Sequence, residues 1–443
     1  MTVLALPRLR AITVDITEDL DEGVELLSLV PESAAPSHMC SWLREGDGVV
    51  GWGRVARCLT TGPNRFADAE AWWKQVCAVA EVDNTIGLPG TGLITFGSFS
   101  FSPDSHDQSR LVVPEVIIGR RDGRIWRTTV TADPVHPDET SAAAFLDPVG
   151  KPPPASATPI EIVAGSVSAQ EWPGVIARAI ERISAGEVDK VVLARDELAK
   201  SNGPIDLHHV LNRLAERYRA TWTFAVDGLV GATPEMLVRL LDGKVHSRVL
   251  AGTVRRSHAA KRLVTEDHPD FKPEHHVDPQ LRLISSEKDL EEHAYAVRSV
   301  ADALAPHCRD LAVPEQPFVL KLPDVYHLAS DISGVHADEA TSLRLAAALH
   351  PSAAVCGTPS AAAAALIADL ERMDRGRYAG PVGWMDVAGE GDWGIALRCG
   401  ELCEDPRRLR LFAGGGIVAA SDPEAELAET EIKLAAMRYA LES

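Results

Sequence analysis

The chain lacks any stretch approaching the roughly 18 apolar residues that a spanning helix requires, and it opens without a charged-then-apolar leader. A cytoplasmic protein with no membrane partner is expected. Its seven cysteines, Cys40, Cys58, Cys77, Cys308, Cys356, Cys399 and Cys403, are odd in number, scattered and without CxxC spacing. That argues against a disulfide scaffold or a zinc site and for reduced thiols. Positive charge is scarce: 44 Lys and Arg face 64 Asp and Glu, a net charge of -20. Nucleic acid and anionic membrane are thereby excluded as partners, since phosphate binding demands clustered cations. An anionic ligand would have to be held by a local positive site. No repeat of fixed period is present.

What remains is a globular composition, 45% hydrophobic and 24% charged over 443 residues, enough for one large core or two domains. Residues 1–160 form an N-terminal portion of mixed strands and helices, as in GDGVVGWGRVARCLT and FADAEAWWKQVCAVAE, and close on a linker-like PVGKPPPASATP. Residues 161–443 form the second region, and the two are expected to pack as one continuous globular unit. Ser168 and Glu171 make a capping box before the helix AQEWPGVIARAIERIS, which ends at Gly186 and runs into the strand DKVVLARD. A meander with Asp-Gly turns follows in WTFAVDGLVG and MLVRLLDGKVHSRVLAG. Helices dominate from Ser286 to Leu304 and from Thr341 to Met373. Three strands, GPVGWMDVAG, WGIALRCGEL and LRLFAGGGIVAA, precede the last helix. Long antiparallel strands interleaved with helices predict an α+β fold, large antiparallel sheets wrapped by helices.

Two helices carry acids in an informative phase. In SDPEAELAETEIKL, Ser421 or Asp422 caps the helix and Pro423 fits its first position. At about 100° per residue, Leu427, Thr430, Leu434, Met437 and Leu441 form the buried stripe. Glu426, Glu429 and Lys433 lie along its edge; Glu424 and Glu431 point away. In SSEKDLEEHAYAVRSVADAL the stripe is Leu290, Ala296, Val297, Val300 and Leu304, with Asp289 and Glu292 at its edge. If the helices face each other, up to four carboxylates meet and require compensation. A hard divalent cation such as Mg²⁺ is one solution; bridges to Lys or Arg elsewhere are the other.

Lys190 opens the apolar run VVLA, and Glu235 follows a proline in ATPEMLVRL. Desolvation there would lower the lysine pKa and raise the glutamate pKa, giving a base and a proton donor near neutral pH; solvated edge and turn positions are the bland reading. GGGIVA at 414–419 fits a dinucleotide fingerprint, but no helix opens on it, so a tight glycine-rich turn near a ligand is expected. The loop from Arg255 to Ser285 carries adjacent His275 and His276, which cannot share one face of a regular element and are read as solvent loop.

DKVVLAR, TPEML, LAGT, SEKDLEEH, VYHLASDISG, HPSAAVCGTP, YAGPVGW, ALRCGEL, AGGGIV and SDPEAELAETEIK stand in this order. The chain from about residue 168 to 438 thereby resembles the chorismate-utilising enzymes, and among them the isochorismate synthases. The resemblance implies Mg²⁺ held by Glu292 and Glu429 with Asp289 and Glu426 in support, a general base at Lys190 and a general acid at Glu235. It also implies that Arg398 and Tyr378 bind the enolpyruvyl carboxylate of chorismate, that Gly252, Thr253 and Gly416 lend backbone or hydroxyl contacts, and that Lys433 helps neutralise a carboxylate. His327 is expected to line the site. Lys190 favours water over ammonia as nucleophile, so no glutamine amidotransferase subunit is expected, and the chain is expected to be a monomer. Ala354 stands in HPSAAVCG where pyruvate-expelling relatives carry threonine, which favours release of isochorismate over salicylate synthesis. Asp289 replaces a glutamate common in relatives. A non-catalytic cation-binding or interaction protein is the reading from a different class; menaquinone and siderophore biosynthesis both remain open as the pathway.

Overall fold

In the computed structural model, residues 8–21, 23–132, 159–255, 279–321 and 325–442 are described. Most of the proline-rich linker and the His275–His276 stretch fall outside them. Two sheets, of 13 and 10 strands, organise the described chain. All their strand pairs are antiparallel except Leu9–Asp15 with Glu81–Asn84. The α+β architecture follows.

Strands from the first third are built into both sheets. In the larger sheet Trp222–Val226 pairs with Cys40–Arg44, Phe224 opposite Trp42. In the smaller, Pro381–Asp386 pairs with Ile94–Ser98, Gly383 opposite Gly97. The meander turns have the expected chemistry: Asp227 and Gly228 take φ of 46° and 84°, Asp242 and Gly243 52° and 67°, the left-handed pair that a two-residue hairpin needs. Ser168 and Glu171 exchange reciprocal bonds, the Glu171 carboxylate accepting from Ser168 N and the Ser168 hydroxyl from Glu171 N, as a capping box requires.

The helix phases also hold. Asp422 caps Pro423–Leu441 by accepting from Ala425 N, and Thr430, Leu434, Met437 and Leu441 are buried. Ser286 caps Glu287–Leu304 by accepting from Asp289 N, and Ala296, Val297, Val300 and Leu304 are buried. The first helix packs on the strand Arg408–Ile417, the second on Lys244–Arg255 and Val325–His336.

Two expectations change. WGIALRCGEL is two strands: Gly391–Ile395 belongs to the smaller sheet and Cys399–Leu402 to the larger, so Arg398 lies on a crossover with φ 49° and not within a strand. Gly414, Gly415 and Gly416 form no turn; they are strand residues paired with Ala194, Leu193 and Val192. A side chain at Gly415 would begin 3.1 Å from Glu426 Oε2, so the missing Cβ lets the last helix lie close on this strand. Glu431 lies off the apolar stripe, as expected, and still finds partners within the fold. It is half-buried and forms ion pairs with the buried Arg195 and, at 2.7 Å, with Arg438.

Candidate active site

Twice the chain leaves one sheet for the other at the same place. Thr233 ends a strand of the larger sheet and Met236 begins one of the smaller, leaving Pro234 and Glu235 between them. The Arg398 crossover runs alongside: Glu235 O accepts from Ile395 N at 3.1 Å, and Arg398 O from Ala232 N at 3.2 Å. Sheet pairing is interrupted here, so side chains enter the gap between the sheets. A cavity of about 270 Å³ occupies it, and Glu235 and Arg398 both line it.

Lys190 enters the cavity from the first residue of Lys190–Lys200, with Val192 on the same face two residues on. The neighbouring strand contributes Gly416. Gly252, at φ 79° in an irregularity of the pairing between Lys244–Arg255 and Val325–His336, lines the cavity beside His327. Ala354 and Tyr378 close another side, the Tyr378 ring stacked on Phe412 at 5.0 Å. The helices supply Asp289, Glu426, Glu429 and Lys433. Every candidate with a described side chain therefore faces one cavity. The side chains of Thr253 and Glu292 lie outside the described residues.

The electrostatics divide the site. Burial pushes the Glu235 carboxyl up to about 8, against the opposing pull of the Lys190 and Lys433 charges. Glu235 is protonated at neutral pH and can donate. Glu429 goes the other way: the Lys433 ammonium, 2.6 Å from its Oε1, holds the carboxyl below its usual range despite burial. Lys433 also donates to Gly414 O at 2.7 Å, so two of its three protons are engaged within the protein. Burial and the Arg398 and Lys433 charges depress His327 to about 3, which leaves a neutral imidazole unsuited to shuttling protons near pH 7. Burial raises the Tyr378 phenol, so it stays a hydrogen-bond donor.

Asp289, Glu426 and Glu429 make an all-oxygen donor set, and Lys433 keeps Glu429 ionised as a ligand must be. That chemistry fits a hard divalent cation. Among the described residues no three carboxylate, His or Cys side chains stand close enough to enclose an ion.

Arg375 also lines the cavity, a residue the sequence reading passed over. ERMDR reads as an ordinary i, i+4 ion pair on a solvated helix end; in the fold Glu371 and Arg375 are 1% and 3% exposed. A larger cavity of about 1000 Å³ lies on the other side of this pair. Its buried Arg65 and half-buried His350 spend their guanidinium and ring donors on backbone oxygens of Ser100, Phe101 and Gly62, and none of the candidate catalytic residues reaches it.

The profile of the family described as "Chorismate binding enzyme" matches residues 8–442. The chain belongs to the chorismate-binding enzymes. It is similar to isochorismate synthase DhbC of Bacillus subtilis, 40% identical over 287 residues covering 61% of this chain and 68% of that one. It is also similar to the salicylate biosynthesis isochorismate synthase of Pseudomonas aeruginosa, 33% identical over 416 residues, 88% and 82% of the two chains. Among solved structures, that of MenF, the menaquinone-specific isochorismate synthase from Escherichia coli, superposes with a TM-score of 0.76 at 25% identity, covering 99% of this chain and 96% of that one. No helix among the described residues is long and apolar enough to cross a membrane.

Proposed function

We propose that this chorismate-binding enzyme is an isochorismate synthase, interconverting chorismate and isochorismate by water attack at ring C2 and loss of the C4 hydroxyl. The observation that carries the reading is the pairing of Lys190 with Glu235. A lysine and a glutamic acid kept protonated by burial line one small cavity, near enough that the lysine charge acts on the carboxyl. With its amine in the neutral form Lys190 takes a proton from the attacking water and becomes the ammonium, and Glu235 gives its proton to the departing hydroxyl and becomes the carboxylate; the return reaction reverses these roles. Each transfer is worth about 10²- to 10⁴-fold in rate.

Arg398 and the Tyr378 hydroxyl bind the enolpyruvyl carboxylate, and the Gly252 and Gly416 backbones approach the substrate where no side chain intervenes. Thr253 belongs to the same binding group. His327, neutral, lines the wall and orients. Glu292 and Glu429, with Asp289 and Glu426 in support, would hold Mg²⁺, which when bound neutralises the ring carboxylate and stabilises charge gathering on the conjugated ring. Lys433 holds Glu429 in position and keeps it charged. The protein works without an amidotransferase subunit, as a monomer in the cytoplasm, with Mg²⁺ as its cofactor.

Ala354 favours isochorismate as the released product, its wall lacking the methyl and hydroxyl that threonine would press on the ring. With chorismate and Mg²⁺ the protein is therefore expected to reach a mixture of chorismate and isochorismate, since exchanging one allylic hydroxyl for another is nearly isoenergetic. Pyruvate is measured by coupling to lactate dehydrogenase. Pyruvate equal to the chorismate consumed, with salicylate fluorescence, would replace this reading with salicylate synthase. Mg²⁺ binding with unchanged chorismate absorbance would leave only a cation-binding protein.

A further inference from the structure

We infer that the buried Glu371–Arg375 pair is a positioning device for the reaction, fixing the Lys190 strand against the turn that carries Ala354. The inference deepens the proposed function and rests on it.

The guanidinium holds three things at once. Its Nε and Nη2 donate to the two Glu371 oxygens at 2.9 and 2.5 Å. Nη2 also donates to Val192 O at 2.7 Å, and Nη1 to Val355 O at 2.8 Å. Glu371 completes the clamp by accepting from Ala194 N at 2.8 Å. Val192 is two residues from Lys190 on the same face of its strand, and Val355 is the residue after Ala354; all four line the cavity. The remaining edge of the turn is stitched to the same strand by backbone bonds, Val192 N to Cys356 O and Asp189 N to Thr358 O, both 2.8 Å. Gly357 has φ 136°, and a Cβ there would sit 2.2 Å from Lys190 O, so the turn cannot approach this way with any other residue. Arg375 O accepts from Tyr378 N at 3.1 Å, which ties the Tyr378 wall to the same anchor.

A fully buried ion pair is a poor device for stability alone. Withdrawing both charges from water is costly, and apolar replacements of similar volume are often neutral or stabilising. What an apolar pair cannot do is grip two carbonyls and an amide from separate segments in fixed directions. Proton transfer from water to Lys190 depends on that placement, and a displacement near 1 Å costs about 100-fold. Lysine cannot substitute, because one ammonium lacks the planar fork that meets a carboxylate and two carbonyls together.

The test compares three variants with the parent in steady-state chorismate turnover, with Tm alongside: Arg375→Lys, Glu371→Gln, and the apolar double variant Glu371→Leu/Arg375→Met. The double variant is expected to keep its Tm within a few degrees of the parent, its KM for chorismate within about threefold, and to lose about 10- to 100-fold in kcat. Arg375→Lys is expected not to restore kcat. A merely structural pair predicts the opposite for the double variant, recovery of kcat with recovery of the fold; that result, or failure of all three variants to fold, overturns the inference. If the parent itself fails to convert chorismate, the functional reading falls and this inference with it. If the parent converts chorismate and the double variant matches its kcat, the positioning role alone falls.

Discussion

Glu235 and Glu429 are the same amino acid in the same cavity, yet they are set in opposite charge states. Glu235 sits on the sheet wall, at a crossover where burial outweighs two nearby lysines and raises its carboxyl to about 8. Glu429 sits on the helix wall, where Lys433 one turn away lies in contact with it and holds its carboxyl down. The comparison teaches that a lysine in hydrogen-bond contact decides ionisation, whereas lysines acting only through space do not overcome desolvation. One wall is thereby suited to handling protons and the other to holding a cation.

The comparison breaks most visibly on the sheet wall. Lys190→Ala and Glu235→Gln should each reduce kcat by about 10³-fold, with little change in KM, because each removes a proton transfer and no contact with the substrate carboxylates. Initial rates by chorismate absorbance decide it; turnover of Lys190→Ala equal to the parent at pH 7 would reject the base. On the helix wall Glu429→Gln should instead weaken apparent Mg²⁺ affinity by about 10- to 100-fold, read by calorimetric titration of the ion without substrate, with Asp289→Asn and Glu426→Gln milder. Unchanged Mg²⁺ affinity in Glu429→Gln would take that carboxylate out of the cation site.

A smaller change links the two walls. Lys433 lowers the pKa of both glutamates, so Lys433→Met should raise both. Activity that needs protonated Glu235 declines as pH rises through about 8; without the Lys433 charge this decline should move to higher pH. A pH profile of kcat whose basic limb stays in place, or moves lower, would show that another group controls it.

The helix wall was legible in the sequence because helical phase is local. Caps at Ser286 and Asp422 and a 100° advance are enough to put Asp289, Glu426 and Glu429 at a packing edge. The sheet wall was legible only as anomalies, a lysine and a glutamate in apolar surroundings. What raises the Glu235 pKa is a crossover between two sheets, and pairing with strands from residues 40–44 and 94–98 is not written in the residues around it. The same long-range pairing splits WGIALRCGEL and gives Arg398 its positive φ. Glu431 and the Glu371–Arg375 pair were missed for a related reason. A charged residue off the apolar stripe, or at i, i+4 from an opposite charge, reads as solvated unless one knows that Arg195, or the carbonyls of Val192 and Val355, will be brought to it.

The smallest effect is in stability, and it distinguishes the walls by sign. Glu235 has a folded-state pKa near 8, above the usual glutamate value of 4.5. Its contribution to stability is whole below pH 4.5 and is lost as pH rises toward 8, because the unfolded chain ionises freely while the folded one does not. At pH 7 that disadvantage amounts to up to about 3 kcal/mol, from 1.36 kcal/mol per pKa unit. Glutamine cannot ionise, so Glu235→Gln should raise Tm by a few degrees at pH 7 to 8 and by nothing measurable at pH 4.5. Glu429 has a lowered pKa, so its contribution is present above the usual glutamate value and lost as pH falls below it. Glu429→Gln should therefore lower Tm at pH 7 and matter less in acid. Thermal melts of the metal-free variants from about pH 3 to 8 make the check, and a Glu235→Gln variant less stable than the parent at pH 8 would show that the carboxyl is not held protonated by the fold.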